Sequence, residues 1–376
     1  MLSDLVPYCM YYLITRLESL MLKVLGGWIN RYFGEEETVL LAVLLISALV
    51  VLITLGQIIA PFIAALIFAF LLQGGVNRLT LLGIPRIVAV ISVFLFFIGT
   101  FAAILIIFLP LIGRQLLNLV EKIPAMVDQS QGLLFLLSEK FPKIFSENQT
   151  SDLLAQASKE LGGIAQNLVS FSFDTFPSIL ALILYVVLVP LLVFFMLKDK
   201  EKLLCFLSNL LPLKRPMMWK IWKEMNFQMA NYVRGKAIEI LIVGFVSYMT
   251  FLFFGLNYAA LLALLVGLSV IVPYIGALLV SIPVVMVAYL QWGWEGDLFF
   301  LLGAYAIIQA LDGNVLVPLL FSEAVNLHPV SIILAVIIFG GIWGFWGVFF
   351  SIPLATLVKA LYGAWPNAST SPNNQN

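Results

Sequence analysis

The stretch Ile87-Val-Ala-Val-Ile-Ser-Val-Phe-Leu-Phe-Phe-Ile-Gly-Thr-Phe-Ala-Ala-Ile-Leu-Ile-Ile-Phe-Leu109 carries no charged side chain. A helix rises about 1.5 Å per residue, so about 20 apolar residues cross the hydrocarbon of a bilayer. This run is long enough, and it has no polar face to show to water. In lipid only a helix or a closed barrel satisfies every backbone N–H and C=O. The stretch therefore predicts a membrane-spanning helix.

The pattern repeats outward from it. Phe176–Leu197 is another clean span, Ala237–Gly255 holds Glu239 near its start, and Leu298–Phe321 holds Asp312. Three apolar regions are too long for one straight crossing: Val39–Leu72, Ala259–Gln291 and Pro329–Tyr362. Gly56 and Pro61 punctuate the first, which reads as two short spans joined there or as one long, kinked helix. Pro273 and Pro283 break the second; glycines and Pro353 break the third. The expected fold class is all-α, a polytopic transmembrane helical bundle of about eight spans.

Composition agrees. Of 376 residues, 62% are hydrophobic and 11% charged, and the mean hydropathy is +1.08. Soluble domains carry roughly 25% charged residues, so lipid is this chain's solvent and first partner. Its 20 basic and 20 acidic residues cancel, which excludes a strongly basic nucleic-acid binder. Cys9 and Cys205 are the two cysteines and His328 is the one histidine. A zinc site, a Cys–His pair and a hydrolase triad are all poorly served. No phosphate-binding Gly-x-x-x-x-Gly-Lys-Ser/Thr loop is present. No cofactor and no metal are expected, and the chain does not read as an enzyme.

Charge placement gives the topology. Lys198, Lys200, Lys202, Lys214, Arg215, Lys220, Lys223, Arg234 and Lys236 crowd one segment, which the positive-inside bias puts in the cytoplasm. Arg78 and Arg86 fall on the same side, as do Arg16, Lys23 and Arg31 before the first span and Lys359 after the last. Both termini are then cytoplasmic. The domains expected are an amphipathic N-terminal segment 1–38, spans over 39–109, a small helical extracytoplasmic domain 110–175, a span 176–197, the basic segment 198–236, spans with broken helices over 237–362, and a disordered tail 363–376. The segment Leu5–Phe33 lacks the compact apolar run of a signal peptide. It reads as a surface helix anchored by Trp28, Tyr32 and Phe33 or as a solvated helix packed on the protein.

The second half holds a possible repeat. Tyr274-Ile-Gly-Ala-Leu-Leu-Val-Ser-Ile-Pro283 aligns with Gly344-Phe-Trp-Gly-Val-Phe-Phe-Ser-Ile-Pro353. Paired Gly/Pro-interrupted apolar segments point to a transporter's binding site, because broken helices expose backbone groups that lipid cannot satisfy. Chance recurrence of Ser-Ile-Pro in an apolar chain is the bland alternative.

Candidate functional residues follow. Asp312 lies in Gln309-Ala-Leu-Asp-Gly-Asn314, and an ionisable group within a membrane span is costly enough to suggest function. Asp-Gly-Asn is also a turn signal, so an interrupted helix lining a cavity is expected, with Asp312 binding a cation or proton and Gln309 and Asn314 beside it. An Asp near the interface at a helix end, capped or paired with a lysine, is the alternative. Pro273, Tyr274 and Gly276 read as a hinge, an unwound site or a plain turn. Gly340, Gly341, Gly344 and Gly347 form a glycine-rich face, with Gly340 and Gly344 spaced for close helix packing; the broken segments around Pro273–Gly276 and Gly340–Gly347 are expected to form the gate or site. Arg234 and Lys236, where the basic segment meets a span, read as anchors at the cytoplasmic entry, and Glu239 is placed to pair with Lys236 one turn away; a gating or coupling role is the alternative. His328, before Pro329, reads as structural.

These motifs resemble the autoinducer-2 exporter family, the PerM-like permeases. The resemblance is carried by Val233-Arg-Gly-Lys236, Ile271-Val-Pro-Tyr-Ile-Gly276, Gln309 through Pro318, Val325-Asn-Leu-His-Pro329, Gly340-Gly-Ile-Trp-Gly344 and Ser351-Ile-Pro-Leu-Ala355. It runs from about residue 40 to near the C-terminus and implies a multi-pass bacterial inner-membrane transporter. Some members are similar to exporters of the signal autoinducer-2, others are described as Na⁺/H⁺ antiporters, and many have no known substrate. Asp312 stands where the family often has Glu, and Lys236 where it often has Gln. The leading expectation is a secondary transporter that exports a small polar or amphiphilic solute on an ion gradient. A monovalent cation/proton antiporter is the second. A membrane scaffold acting through its extracytoplasmic domain is the third. A homo-oligomer is expected.

Overall fold

The computed structural model describes residues 36–122, 176–209, 211, 215–321 and 327–364. The N-terminal surface segment with Cys9, residues 123–175 of the extracytoplasmic domain, Val325 and Asn326, and the tail from 365 lie outside them. The described residues are helical, with no strand among them. Among the described residues, seven stretches are long and apolar enough to cross a membrane: Glu36–Gly56, Ile58–Leu81, Arg86–Lys122, Pro216–Phe253, Ile275–Trp292, Gly296–Phe321 and Pro329–Phe349. The helix Phe176–Lys198 has 23 residues and carries no charged side chain before its last residue, Lys198.

Helix α1 is Glu36–Leu81, 46 residues without interruption. Gly56 and Pro61 do not end it. A Cβ on Gly56 would lie 2.5 Å from the Trp343 indole nitrogen, so this glycine makes room for a ring instead of a break. Helix α2, Arg86–Lys122, runs beyond Leu109 through a π turn at Ile104–Phe108. Helix α3 is Phe176–Lys198, and α4 is Lys200–Asn209. Arg86, at the start of α2, pairs with Glu201 in α4. That ion pair places the loop before α2 and the basic segment after α3 at one end of the bundle.

Helix α5, Pro216–Phe253, takes up much of the basic segment and continues into the membrane as one 38-residue rod. Pro216 suits its first turn, where no backbone donor is needed. The free amide of Met218 there donates to Glu37 Oε1 at 2.6 Å, and a carboxylate is favoured at a helix N-terminus. Next come α6, Ala259–Ser269, and α7, Ile275–Trp292. Helix α8 spans Gly296–Phe321 with a π turn at Asp312–Leu316. Helix α9 is Pro329–Phe349, kinked at Gly344, and α10 is Ser351–Ala364.

Three apolar clusters hold the bundle. One joins α1, α2 and α3 around Ala65, Val90, Phe97 and Val193. A second gathers α5 to α8 around Phe251, Leu262, Val284 and Leu301. The third joins α1, α5, α8, α9 and α10 through Ile63, Tyr232, Phe321, Phe349 and Ile352. Large apolar side chains also cover the outside, Phe253 being 84% exposed. A water-facing surface of this kind would be unstable; facing acyl chains, it is matched to its solvent.

Candidate functional site: a buried charge cluster at two broken helices

Helix α6 has 11 residues, about 16 Å, too short to cross the hydrocarbon. It ends inside the bundle and the chain turns back into α7. Tyr274 makes the turn at φ 61°, ψ −51°, a conformation costly for a bulky L-residue. Gly276 lies so close to the Ser269 carbonyl that a Cβ would collide with it. Helix α9 is broken by Gly344, at φ 61°, ψ −135°. There Gly347 is pressed against the Phe339 carbonyl in the same manner. Tyr274 and Gly344 are the opening residues of the two repeated segments, so the repeat is echoed in backbone geometry. The echo is incomplete. Pro283 sits in the interior of α7, whereas Pro353 falls in the first turn of α10.

This corrects the reading of the glycines. Gly344 is a turn residue whose φ is open to glycine, and no neighbour would meet its Cβ. Gly341 also has open space, while a Cβ on Gly340 would lie 2.8 Å from Val348. The close helix approach lies elsewhere. A Cβ on Gly267 of α6 would lie 3.0 Å from the Gly244 Cα and from the Ile240 carbonyl of α5. These glycines let α6 nest against α5.

One face of α5 carries polar groups into this region. Tyr232, Lys236 and Glu239 recur at helical spacing and are all buried. Lys236 is 5% exposed and Glu239 1%. The Lys236 Nζ lies 2.8 Å from Glu239 Oε2, donates to the Val270 carbonyl at 2.7 Å, and sits 5.3 Å from the Phe321 ring centre. Val270 caps the C-terminal end of α6, where the helix dipole favours a cation. One turn earlier, the Tyr232 hydroxyl donates to the Phe349 carbonyl at 2.7 Å. Gly235 between them accommodates the Phe321 ring.

Asp312 is the third charge. It lies within electrostatic reach of both Lys236 and Glu239, and its Oδ1 is buried without a hydrogen-bond partner. Asp-Gly-Asn does not interrupt the helix, as the turn signal suggested. It forms a π turn within α8, a widening often found at functional sites. Gln309 is beside Tyr305 and its Nε2 is buried and unpartnered. The Tyr305 hydroxyl lies 3.2 Å from Ser281 Oγ of α7.

Of the other expected residues, Asn314 is exposed and spends its amide on the Ala310 carbonyl at 2.8 Å. Arg234 is exposed and stacks over Phe70, 5.5 Å from its ring centre. Lys236 was grouped with it as an anchor, but it faces the interior. His328 caps α9, accepting from the Val330 amide at 3.3 Å. Sequence reasoning missed Tyr232, whose four-residue spacing from Lys236 was a usable signal. It also missed the Val270 and Phe349 carbonyls, for which no sequence signal exists.

A bundle of apolar helices with broken segments and a buried charge cluster is a transport architecture, and comparison with known proteins says the same. The model of the AI-2E family transporter matches residues 39–367. The chain belongs to the AI-2E transporter family. Within this family, "Putative permease PerM" of Escherichia coli strain K12 is 42% identical over 347 residues, covering 92% of this chain and 98% of that protein. "Putative transport protein YueF" of Bacillus subtilis strain 168 is 30% identical over 313 residues, 80% of this chain and 84% of its own length. The names give the family a class, membrane transport, without a solute.

Proposed function

We propose that this AI-2E family member is a secondary transporter of the bacterial inner membrane that exports a small polar or amphiphilic solute, and that its driving ion is the proton. The observation that carries this reading is the buried Lys236–Glu239 pair, its ammonium bonded to the carbonyl that ends α6, with a second acid, Asp312, within electrostatic reach. Two carboxyls face one ammonium. In a low-dielectric interior an uncompensated charge is expensive, so the cluster is neutral when one carboxyl carries a proton and strained when it does not. Asp312 is the exchanging group, because Glu239 lies 2.8 Å from the Lys236 ammonium while Asp312 pairs with no cation among the described residues. Loss of that proton turns Lys236 toward Asp312 and loosens its bond to Val270. The broken segments at Pro273–Gly276 and Gly340–Gly347 are the gate.

The test has two stages. Extracellular and intracellular metabolites are compared in cells with and without the protein, to find the solute whose distribution it changes. Export of that solute into everted vesicles is then measured with and without a proton gradient. Asp312→Asn is expected to insert normally and to lose the response to the gradient. An unaltered response removes Asp312 from the mechanism.

A further inference from the structure

The surroundings of Lys236 Nζ have the make-up of a cation site. A carboxylate oxygen of Glu239 lies at 2.8 Å, the carbonyl oxygen ending a broken helix at 2.7 Å, and an aromatic face at 5.3 Å. A second carboxylate, Asp312, is within electrostatic reach. Backbone carbonyls at the C-terminal ends of interrupted membrane helices are the groups that hold small monovalent cations in transporters. Hard oxygen ligands suit such ions. Here those groups are engaged by a side chain of the protein itself.

We propose that Lys236 is a tethered cation: its ammonium fills a monovalent-cation site formed by Glu239 and the Val270 carbonyl, so that Na⁺ is excluded. The site is built from three places in the fold: Lys236 and Glu239 come from α5, Val270 from the end of α6, and the Phe321 ring at the end of α8 closes it. The ammonium has three protons to place; two oxygens and the ring face receive them. A compact ammonium on a flexible stem is also the side chain best able to imitate a small ion. Because Lys236 is 5% exposed and Glu239 1%, removing the amine leaves a buried carboxylate without its counter-charge. That vacancy draws in a small cation. This inference is read by binding, not by flux, so it stands or falls separately from the export reading.

The experiment is thermal unfolding of the purified full chain in detergent, followed by tryptophan fluorescence, in NaCl, KCl or choline chloride at equal ionic strength. The wild-type protein is expected to melt at the same temperature in all three salts. Lys236→Gln is expected to melt lower in choline chloride and to recover about 2–4 °C as NaCl is added, saturably, since a ligand that binds only the folded state stabilises it. The double variant Lys236→Gln/Glu239→Gln is expected to show no recovery. Should Lys236→Gln be too unstable to purify in choline chloride, the yield of monodisperse protein in NaCl replaces the melting temperature. Rescue by Na⁺ supports the proposal, and equal yields in NaCl and choline chloride overturn it. It is also overturned if folded Lys236→Gln is indifferent to the cation or if the wild type itself gains a saturable Na⁺ response.

Discussion

Tyr232 and Lys236 lie one turn apart on α5, and each donates to a backbone carbonyl of a different broken segment, Phe349 and Val270, at 2.7 Å in both cases. One rigid helix thus holds both interruptions. A carbonyl released from a helix ladder inside a membrane has no water to bond, so these two donors satisfy acceptors that would otherwise be orphaned. They also make the two broken segments sensitive to the same helix.

Tyr232→Phe tests that connection with little change in packing, because the ring contacts with Phe321 and Phe349, with ring centres 5.9 and 6.0 Å apart, stay available. The Phe349 carbonyl is left unpaired, at a cost of about 1–3 kcal/mol. A lower melting temperature is expected with α-helical content unchanged by circular dichroism.

Glu239→Gln leaves the Lys236 ammonium buried beside Asp312 alone. Breaking a buried pair costs roughly 3–5 kcal/mol. A partner carboxylate within reach offsets part of that, so Glu239→Gln is expected to be destabilised less than Glu239→Gln/Asp312→Asn. Comparing the melting curves of the wild type, Glu239→Gln, Asp312→Asn and the double variant in a double-mutant cycle measures the coupling.

Gly276→Ala is expected to be severe. Its Cβ would meet the Ser269 carbonyl, and backbone cannot move aside as a flexible side chain can. Gly303→Ala, in α8 with no atom within 4 Å of its Cβ, serves as the control and should match or exceed wild type by up to about 1 kcal/mol. Yields of monodisperse protein and melting temperatures distinguish the two.

Tyr274→Gly removes a tyrosine held at positive φ, a strain of about 1–3 kcal/mol. Higher stability is expected, with export by the variant slowed if the strained turn helps the gate to move. An unchanged melting temperature would mean the turn is relaxed.

Cys205 is exposed on α4, in the basic segment assigned to the cytoplasm. In a Cys9→Ser background, a membrane-impermeant maleimide is expected to label everted vesicles and not intact spheroplasts. The opposite pattern reverses the whole topology.

The helices were legible because length and apolarity alone define a span. Which face of a span looks inward was not, because lipid and protein interior are equally apolar and periodicity fades. Polar residues escaped this. Lys236 and Glu239 could be paired from their spacing, and Asp312 stood out as a lone acid. The Gly244–Gly267 contact and the seat of Trp343 on Gly56 join residues distant in sequence, and only packing reveals them. At Asp312 the local turn signal lost to the helix on either side, which absorbed the glycine as a π turn.

The shortness of α6 bears on biogenesis. Its 11 residues offer the insertion machinery less than a full crossing, so α6 cannot partition into lipid on its own merits. It needs the glycine groove of α5 and the waiting amine of Lys236, both made earlier in synthesis. Assembly of this half of the bundle is therefore vectorial: α5 must be seated before the next segment has anywhere to go.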